Sequence, residues 1–362
     1  MLLKRRRLLK KLSDAHGESS KFKTFHLIQQ VLAKIHLKKV QTSLAIFFSF
    51  GVPIAILFFL DPNSFQATWK GRTFYFFFLW FIILELLLDW EKFQSKTFNI
   101  LKPTRIVVLA VALLLPSVYV TAANYFGLNE AILDLARHFN VQWADWMPLS
   151  VEYLVFTALF VAITMLAQGF DGLKDFSISA FFLGAIGTVY FIDNLYPYGS
   201  FTPFQIFVPT TAVLAASVLN FVGYQTSFYS SMEGMPVLKA WNSQGERTFS
   251  IAWPCSGVQS LLIYTFTILF FLKKTSIPWG QRIIYFVFGA LVTYFINILR
   301  IVSIYVIAIN GGDWMLFHNY YGELYAMAWI IAYPLIIICS RMFWAKIKLR
   351  LGDKNVMRNL SR

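Results

Sequence analysis

Residues 203–223, PFQIFVPTTAVLAASVLNFVG, are apolar enough to be taken for a membrane span and interrupted enough to argue against one. The segment carries Pro203 and Pro209, the pair Thr210-Thr211, Ser217 and Asn220, with alanines between them. Proline removes a backbone donor, and polar groups facing lipid go unsatisfied. The stretch therefore reads as an interfacial or re-entrant helix. That choice decides the fold, because every other long apolar segment reads as a span and the number of spans fixes the side on which each loop lies.

Working outward, the chain of 362 residues is 57% hydrophobic and only 14% charged, with 38 Phe, 17 Tyr and 11 Trp. This composition excludes a soluble globular protein and points to membrane-spanning helices. Nine apolar segments are present, at 42–60, 73–90, 104–123, 150–168, 176–193, 203–223, 256–272, 282–309 and 323–344. Nine spans would set the basic N-terminal arm and the basic C-terminal tail on opposite sides, against the preference of Lys and Arg for the cytoplasm. Demoting 203–223 leaves eight spans with both ends inside. On that arrangement 26 of the 32 Lys and Arg fall inside and six fall outside or in outer helix halves: Lys70, Arg72, Arg137, Lys239, Arg247 and Arg300. The expected architecture is an all-α polytopic membrane protein of about eight transmembrane helices, with an outer interfacial helix and a short extended outer segment.

The net charge of +14 is not a nucleic-acid footprint. Eleven Lys and Arg lie in residues 1–41 against Asp14 and Glu18, and the tail after Phe343 is similarly basic. Both blocks flank apolar helices, so cytoplasmic retention and anionic lipid account for them. The chain divides accordingly: a basic cytoplasmic arm (1–41), N-terminal membrane helices (42–200), a catalytic membrane region (201–345) and a basic cytoplasmic tail (346–362). The basic start is too long for a cleaved signal peptide. Two cysteines make neither a disulfide framework nor a four-ligand metal site, and the HExxH and P-loop patterns are absent; no metal or cofactor is expected.

The topology gathers three residues on one side. Cys255, in FSIAWPCSGVQS (249–260), sits between Pro254 and Ser256-Gly257 at the start of an apolar run. It is expected at or near a helix N-terminus, where free N–H groups and the helix dipole lower a thiol pKa. Arg300 lies in the outer half of a long helix amid INILRIVSIYVI, where an arginine costs roughly 2.5–3.5 kcal/mol on insertion scales. Asn297 shares its face, placed to hold the guanidinium or to bond a substrate amide. His318 lies in the outer loop 310–322, NGGDWMLFHNYYG. It exchanges protons near neutral pH. A thiolate that attacks a carbonyl, a histidine that protonates the leaving amine or activates the incoming nucleophile, and an arginine that stabilises the thiolate or the oxyanion make an acyl-transfer set.

Other residues carry weaker signals. Glu85 and Asp89 sit one turn apart and read as a structural pair or a proton path, with structure preferred. Asp193-Asn194 closes the fifth helix at the outer face. Cys339, in LIIICS, reads as packing. His16, His26 and His36 lie in the basic arm, and His138 in an outer amphipathic segment.

PCSGVQS around Cys255, NILRI with Asn297 and Arg300, and FHNYYG with His318 resemble, in order and spacing, the exosortase/archaeosortase family of integral membrane transpeptidases. The similarity covers roughly 200–345, and the chain looks most like an archaeal branch. VLNFVGYQTSFYSSMEGMPVL (218–238) is similar to the short helix and extended segment that precede the family's cysteine. The resemblance implies a cysteine peptidase/transpeptidase with Cys255 as nucleophile and Arg300 and His318 completing the site; Asn297, Ser256 and Gly257 are the supporting or substrate-binding candidates. Some archaeal members have Arg at the position of His318. The implied substrates are secreted proteins bearing a C-terminal tripartite signal: a short motif, a membrane helix and a basic tail. The new C-terminus would pass to a membrane lipid or surface acceptor. The site would face outward from the cell membrane, with both termini cytoplasmic. The alternatives are a polytopic transporter or channel, which would use midplane groups such as Glu85, and an acyl or glycan transferase using His318 and Asp313.

Overall fold

In the computed structural model the described residues are 39–67, 70–88, 90, 103–196, 205–230, 235–322 and 324–360. The expected apolar segments appear as helices with bounds shifted by a few residues. They are α1 (Lys39–Leu60), α2 (Phe74–Leu88), α3 (Pro103–Tyr125), α5 (Met147–Asp175), α6 (Ser177–Leu195), α7 (Val208–Phe221), α8 (Val258–Lys274), α9 (Trp279–Ile309) and α10 (Leu324–Leu360). The amphipathic α4 (Leu128–His138) holds His138, as its sequence suggests. Six helical stretches are long and apolar enough to cross a membrane: 40–60, 105–125, 144–175, 177–195, 279–309 and 314–344. The protein is an all-α polytopic membrane protein in its main body. Of the other two expected spans, α2 has 15 residues and α8 has 17. The 14 residues of α7 reach about 21 Å, short of a hydrocarbon core of about 30 Å. Of the prolines that made 203–223 a doubtful span, Pro209 lies in the first turn of this short helix and Pro203 lies outside the described residues.

Phenylalanine fills the centre of the helical body. Phe50 on α1 meets Phe78 on α2 and Phe160 on α5 with ring centroids 5.7 and 5.3 Å apart, each edge to face. Such pairs let bulky rings close-pack with no polar atom to satisfy, each worth about 0.5–1.5 kcal/mol beyond burial.

Charged side chains tie the two ends of this body. At one end, Glu85 is fully buried, and its carboxylate accepts from the backbone N–H groups of Ile178 and Ser179 at 2.8 and 3.0 Å and from Ser179 Oγ at 2.6 Å. It caps the start of α6 from another helix and pairs with Lys274 Nζ at 2.6 Å. Lys274 also donates to the Asp175 carbonyl. The structural role preferred for Glu85 is the one observed, and Asp89 lies outside the described residues. At the opposite end, Arg72 forms a forked pair with Glu152, both contacts 2.8 Å. Nearby, the buried Lys70 meets Asp193 at 3.1 Å and Asn194 at 2.6 Å, and lies 3.5 Å from the centre of the Trp143 ring. Burial pulls the Lys70 ammonium down to about 8, against the attraction of Asp193.

Between α7 and α8 the chain forms a three-stranded antiparallel sheet, β1 (Gln225–Ser230), β2 (Pro236–Asn242) and β3 (Gly245–Ser250), in that order. The expected short extended segment is therefore a three-stranded meander. Asn242 Oδ1 accepts from the N–H groups of Gln244 and Gly245 and closes the β2–β3 turn. Leu238 and Ala240 alternate inward on β2 and are fully buried. Tyr305 of α9 donates to the Leu238 carbonyl at 2.6 Å, which fixes the sheet to the end of that helix.

Candidate active site

The turn that carries Cys255 is a short 3₁₀ helix, Trp253–Ser256, entered through Pro254. α8 begins only at Val258, after Gly257 at φ 88°. Cys255 thus stands near the start of α8, as expected, in the short turn that leads into it. The break at Gly257 has a steric reason: a Cβ on Gly257 would lie 2.5 Å from Asn297 Nδ2, and the left-handed backbone there favours glycine. The N–H groups of Cys255 and Ser256 both donate to the Ala252 carbonyl, at 3.0 and 3.1 Å. They are used inside the turn.

Two other elements hold this turn. Asn297 of α9, 1% exposed, donates through Nδ2 to the Cys255 carbonyl at 3.2 Å. Its Oδ1 is buried with no hydrogen-bond partner among the described residues. Thr211 of α7, fully buried, places Oγ1 3.2 Å from the carbonyls of Ser256 and Phe207, with one proton to share between them. Tyr294 of α9 lies 2.9 Å from the same hydroxyl. Ser256 itself is 1% exposed and donates to the Trp253 carbonyl at 2.8 Å, so it serves the turn's shape. Cys255 is half-buried and packs with the cluster that includes Val189, Val258, Ile298 and Tyr305.

Arg300 follows Asn297 by one turn of α9 and is 5% exposed, enclosed by protein where its sequence setting allowed an interfacial or cavity-facing position. Its partner element is Gly322: a Cβ there would fall 2.5 Å from Arg300 Nε and 3.0 Å from the His318 carbonyl oxygen. The guanidinium acts electrostatically on His318. The stretch expected as a loop is in fact helical. Asp313 accepts from Leu316 N–H at 2.9 Å and caps the turn Trp314–Leu316. Phe317–Tyr321 continue as a π-helical turn that carries His318, with the Gly322 N–H donating to the Phe317 carbonyl at 2.7 Å. Asp313 is thus engaged as a cap. Trp314 packs on Phe249 of β3 with centroids 4.6 Å apart, joining this turn to the sheet that precedes Cys255.

The candidates named from sequence therefore share one end of the molecule. The shared face of α9 places Asn297 on the cysteine turn and Arg300 beside the histidine turn. Residues 68–336 match the family of the transmembrane exosortase. The chain belongs to the exosortase family. The matched stretch contains Cys255, Asn297, Arg300 and His318, and runs from the loop before α2 into α10. Membership makes this exosortase a membrane protein of transpeptidase or protease type, of a family that acts on secreted proteins with sorting signals. No curated protein and no solved structure matches the chain.

Other residues fall elsewhere in the exosortase. Glu85 lies at the far end of α8 from Cys255, and Cys339 is exposed on α10. Asp193 and Asn194 reach the same end as the cysteine turn but bond to Lys70, and Asn194 also donates to Ser150. Among the described residues no group of three or more His, Cys, Asp or Glu could hold a metal ion. Sequence inspection missed Thr211, Tyr294 and Gly322 as parts of the site. Thr211 left a trace, as half of the polar pair that made 203–223 a poor span; Tyr294 and Gly322 left none.

Proposed function

We propose that this exosortase is a cysteine transpeptidase in which Cys255 attacks a peptide bond of a secreted protein's C-terminal sorting signal. The observation that supports it most is the arrangement on α9, where Asn297 bonds the Cys255 carbonyl one turn from Arg300, itself beside the His318 turn. His318 takes the thiol proton as Sγ bonds to the carbonyl carbon. The C–N bond then breaks, the amine leaves with that proton, and a thioester remains on Cys255. An acceptor amine or hydroxyl, yielding its proton to His318, attacks the thioester and releases the thiol. Arg300 stabilises the oxyanion of each tetrahedral intermediate. A side-chain cation suits this role because the N–H groups of Cys255 and Ser256 are already bonded to Ala252. The unpartnered Asn297 Oδ1 offers an acceptor for a substrate amide N–H.

The charge distribution supports a site at the outer face of the cell membrane with cytoplasmic termini, and a membrane lipid or surface molecule as acceptor. Replacing Cys255 by Ala should leave a membrane-anchored precursor unprocessed, and trapping should find a thioester on Cys255 in the native protein. Normal processing by Cys255→Ala would sink the proposal. A transport role through Glu85 finds no support in a carboxylate already engaged by Ile178, Ser179 and Lys274.

A further inference from the structure

An open groove of about 920 Å³ runs between α5, α6 and α8. We propose that it seats an apolar transmembrane helix of the substrate, the segment adjoining the bond that Cys255 cleaves; this rests on the reading of Cys255 as the nucleophile. The groove's walls are apolar, with small residues such as Ala158 on α5 and Thr188 on α6 lining its floor. Small side chains let helix backbones approach closely in a membrane, where packing drives association. α6 lines it from Ser177 to Ile192, about 22 Å at ~1.5 Å per residue, which is four turns of a docked helix.

Its position relative to the nucleophile selects the occupant. Ile192 and Leu262, at one end of the groove, pack in the same cluster as Cys255. Lys174 lies at the other end, beside the turn capped by Glu85. The body of the groove thus asks for an uncharged segment, and its near end shares a hydrophobic cluster with the Cys255 turn. A polypeptide in that position must satisfy its own backbone, which in lipid requires a helix. A lipid acyl chain is the competing occupant. The helix reading accounts for a groove that runs four turns along α6 with one end in the hydrophobic cluster of the Cys255 turn.

The test uses the full chain in its native membrane. The precursor is defined as a protein that retains a C-terminal apolar segment in Cys255→Ala cells and loses it with the native enzyme. Ala158→Trp and Thr188→Trp, both at exposed positions, fill the groove from two of its helices. Each should raise precursor by about tenfold, the scale of a 1–3 kcal/mol steric penalty. Val108→Trp, on the exposed face of α3, should not. A photoreactive benzoylphenylalanine at Phe181, in the Cys255→Ala protein, should attach to the apolar segment of that precursor. Adducts to lipid alone, or normal processing by both groove variants, overturn the groove proposal while the site reading stands. No precursor in Cys255→Ala cells overturns both.

Discussion

Asn297 donates its side-chain N–H to the carbonyl of Cys255 at 3.2 Å, and the space where Gly257 would carry a Cβ lies 2.5 Å from that same nitrogen. The cysteine turn and α9 are therefore matched at a single amide. Asn297→Leu leaves the Cys255 carbonyl without this donor, at a cost of about 1–3 kcal/mol. Precursor processing should fall by about ten- to a hundredfold. Gly257→Ala meets both the close amide and the positive φ and should lower thermal stability as well as processing. A Gly257→Ala protein with native melting temperature and native processing would show that the turn yields where this geometry says it cannot.

Thr211 joins α7 to the same turn. Thr211→Val removes the hydroxyl that faces Ser256 and Tyr294. Turnover should drop with little change in the amount of precursor bound to a Cys255→Ala protein of the same background. Thr211→Ser, which restores the hydroxyl, should recover most of the rate. Equal losses in Val and Ser variants would assign Thr211 to packing alone.

Gly322 stands where any side chain would press on Arg300 and on the histidine turn. Gly322→Ala should displace the guanidinium and reduce the yield of thioester trapped on Cys255. Alkylation of the Cys255 thiol by a small reagent should still proceed, separating loss of the oxyanion partner from unfolding. Unchanged thioester formation would count against this placement of Arg300.

Glu85 and Lys274 test the opposite end of the molecule. Lys274→Met leaves a fully buried carboxylate without its cation and should cost roughly 3–5 kcal/mol, read as a lowered melting temperature. Glu85→Gln in the same protein should restore much of it, because a neutral amide needs no counter-charge. If the double variant melts no higher than Lys274→Met, the pair is not what holds α6 to α8.

Much of this protein was legible residue by residue. Apolar runs gave helices within a few positions, because any span must bury its backbone in a helix, whatever its neighbours do. Pro203, Pro209 and the Thr210-Thr211 pair correctly marked a short element. Cys255 and Arg300 stood out as costly or rare residues in apolar surroundings. The helix that follows Cys255 starts at Val258, two residues after the apolar run's start at 256, since Gly257 breaks the helix there to admit Asn297, forty positions away in sequence. The turn holding His318 looked like a loop because a π-helical turn has no distinct sequence period, although Asp313 at its head is an ordinary cap.

By itself the sequence determined that this chain is a polytopic membrane protein and where along it the apolar helices fall. Those are consequences of composition, length and local backbone rules. Tertiary structure alone decided that Glu85 caps a distant helix, that Thr211 and Asn297 hold the cysteine turn from two sides, and that a groove forms along α5, α6 and α8. Each depends on the packing of helices against one another, which no local periodicity encodes.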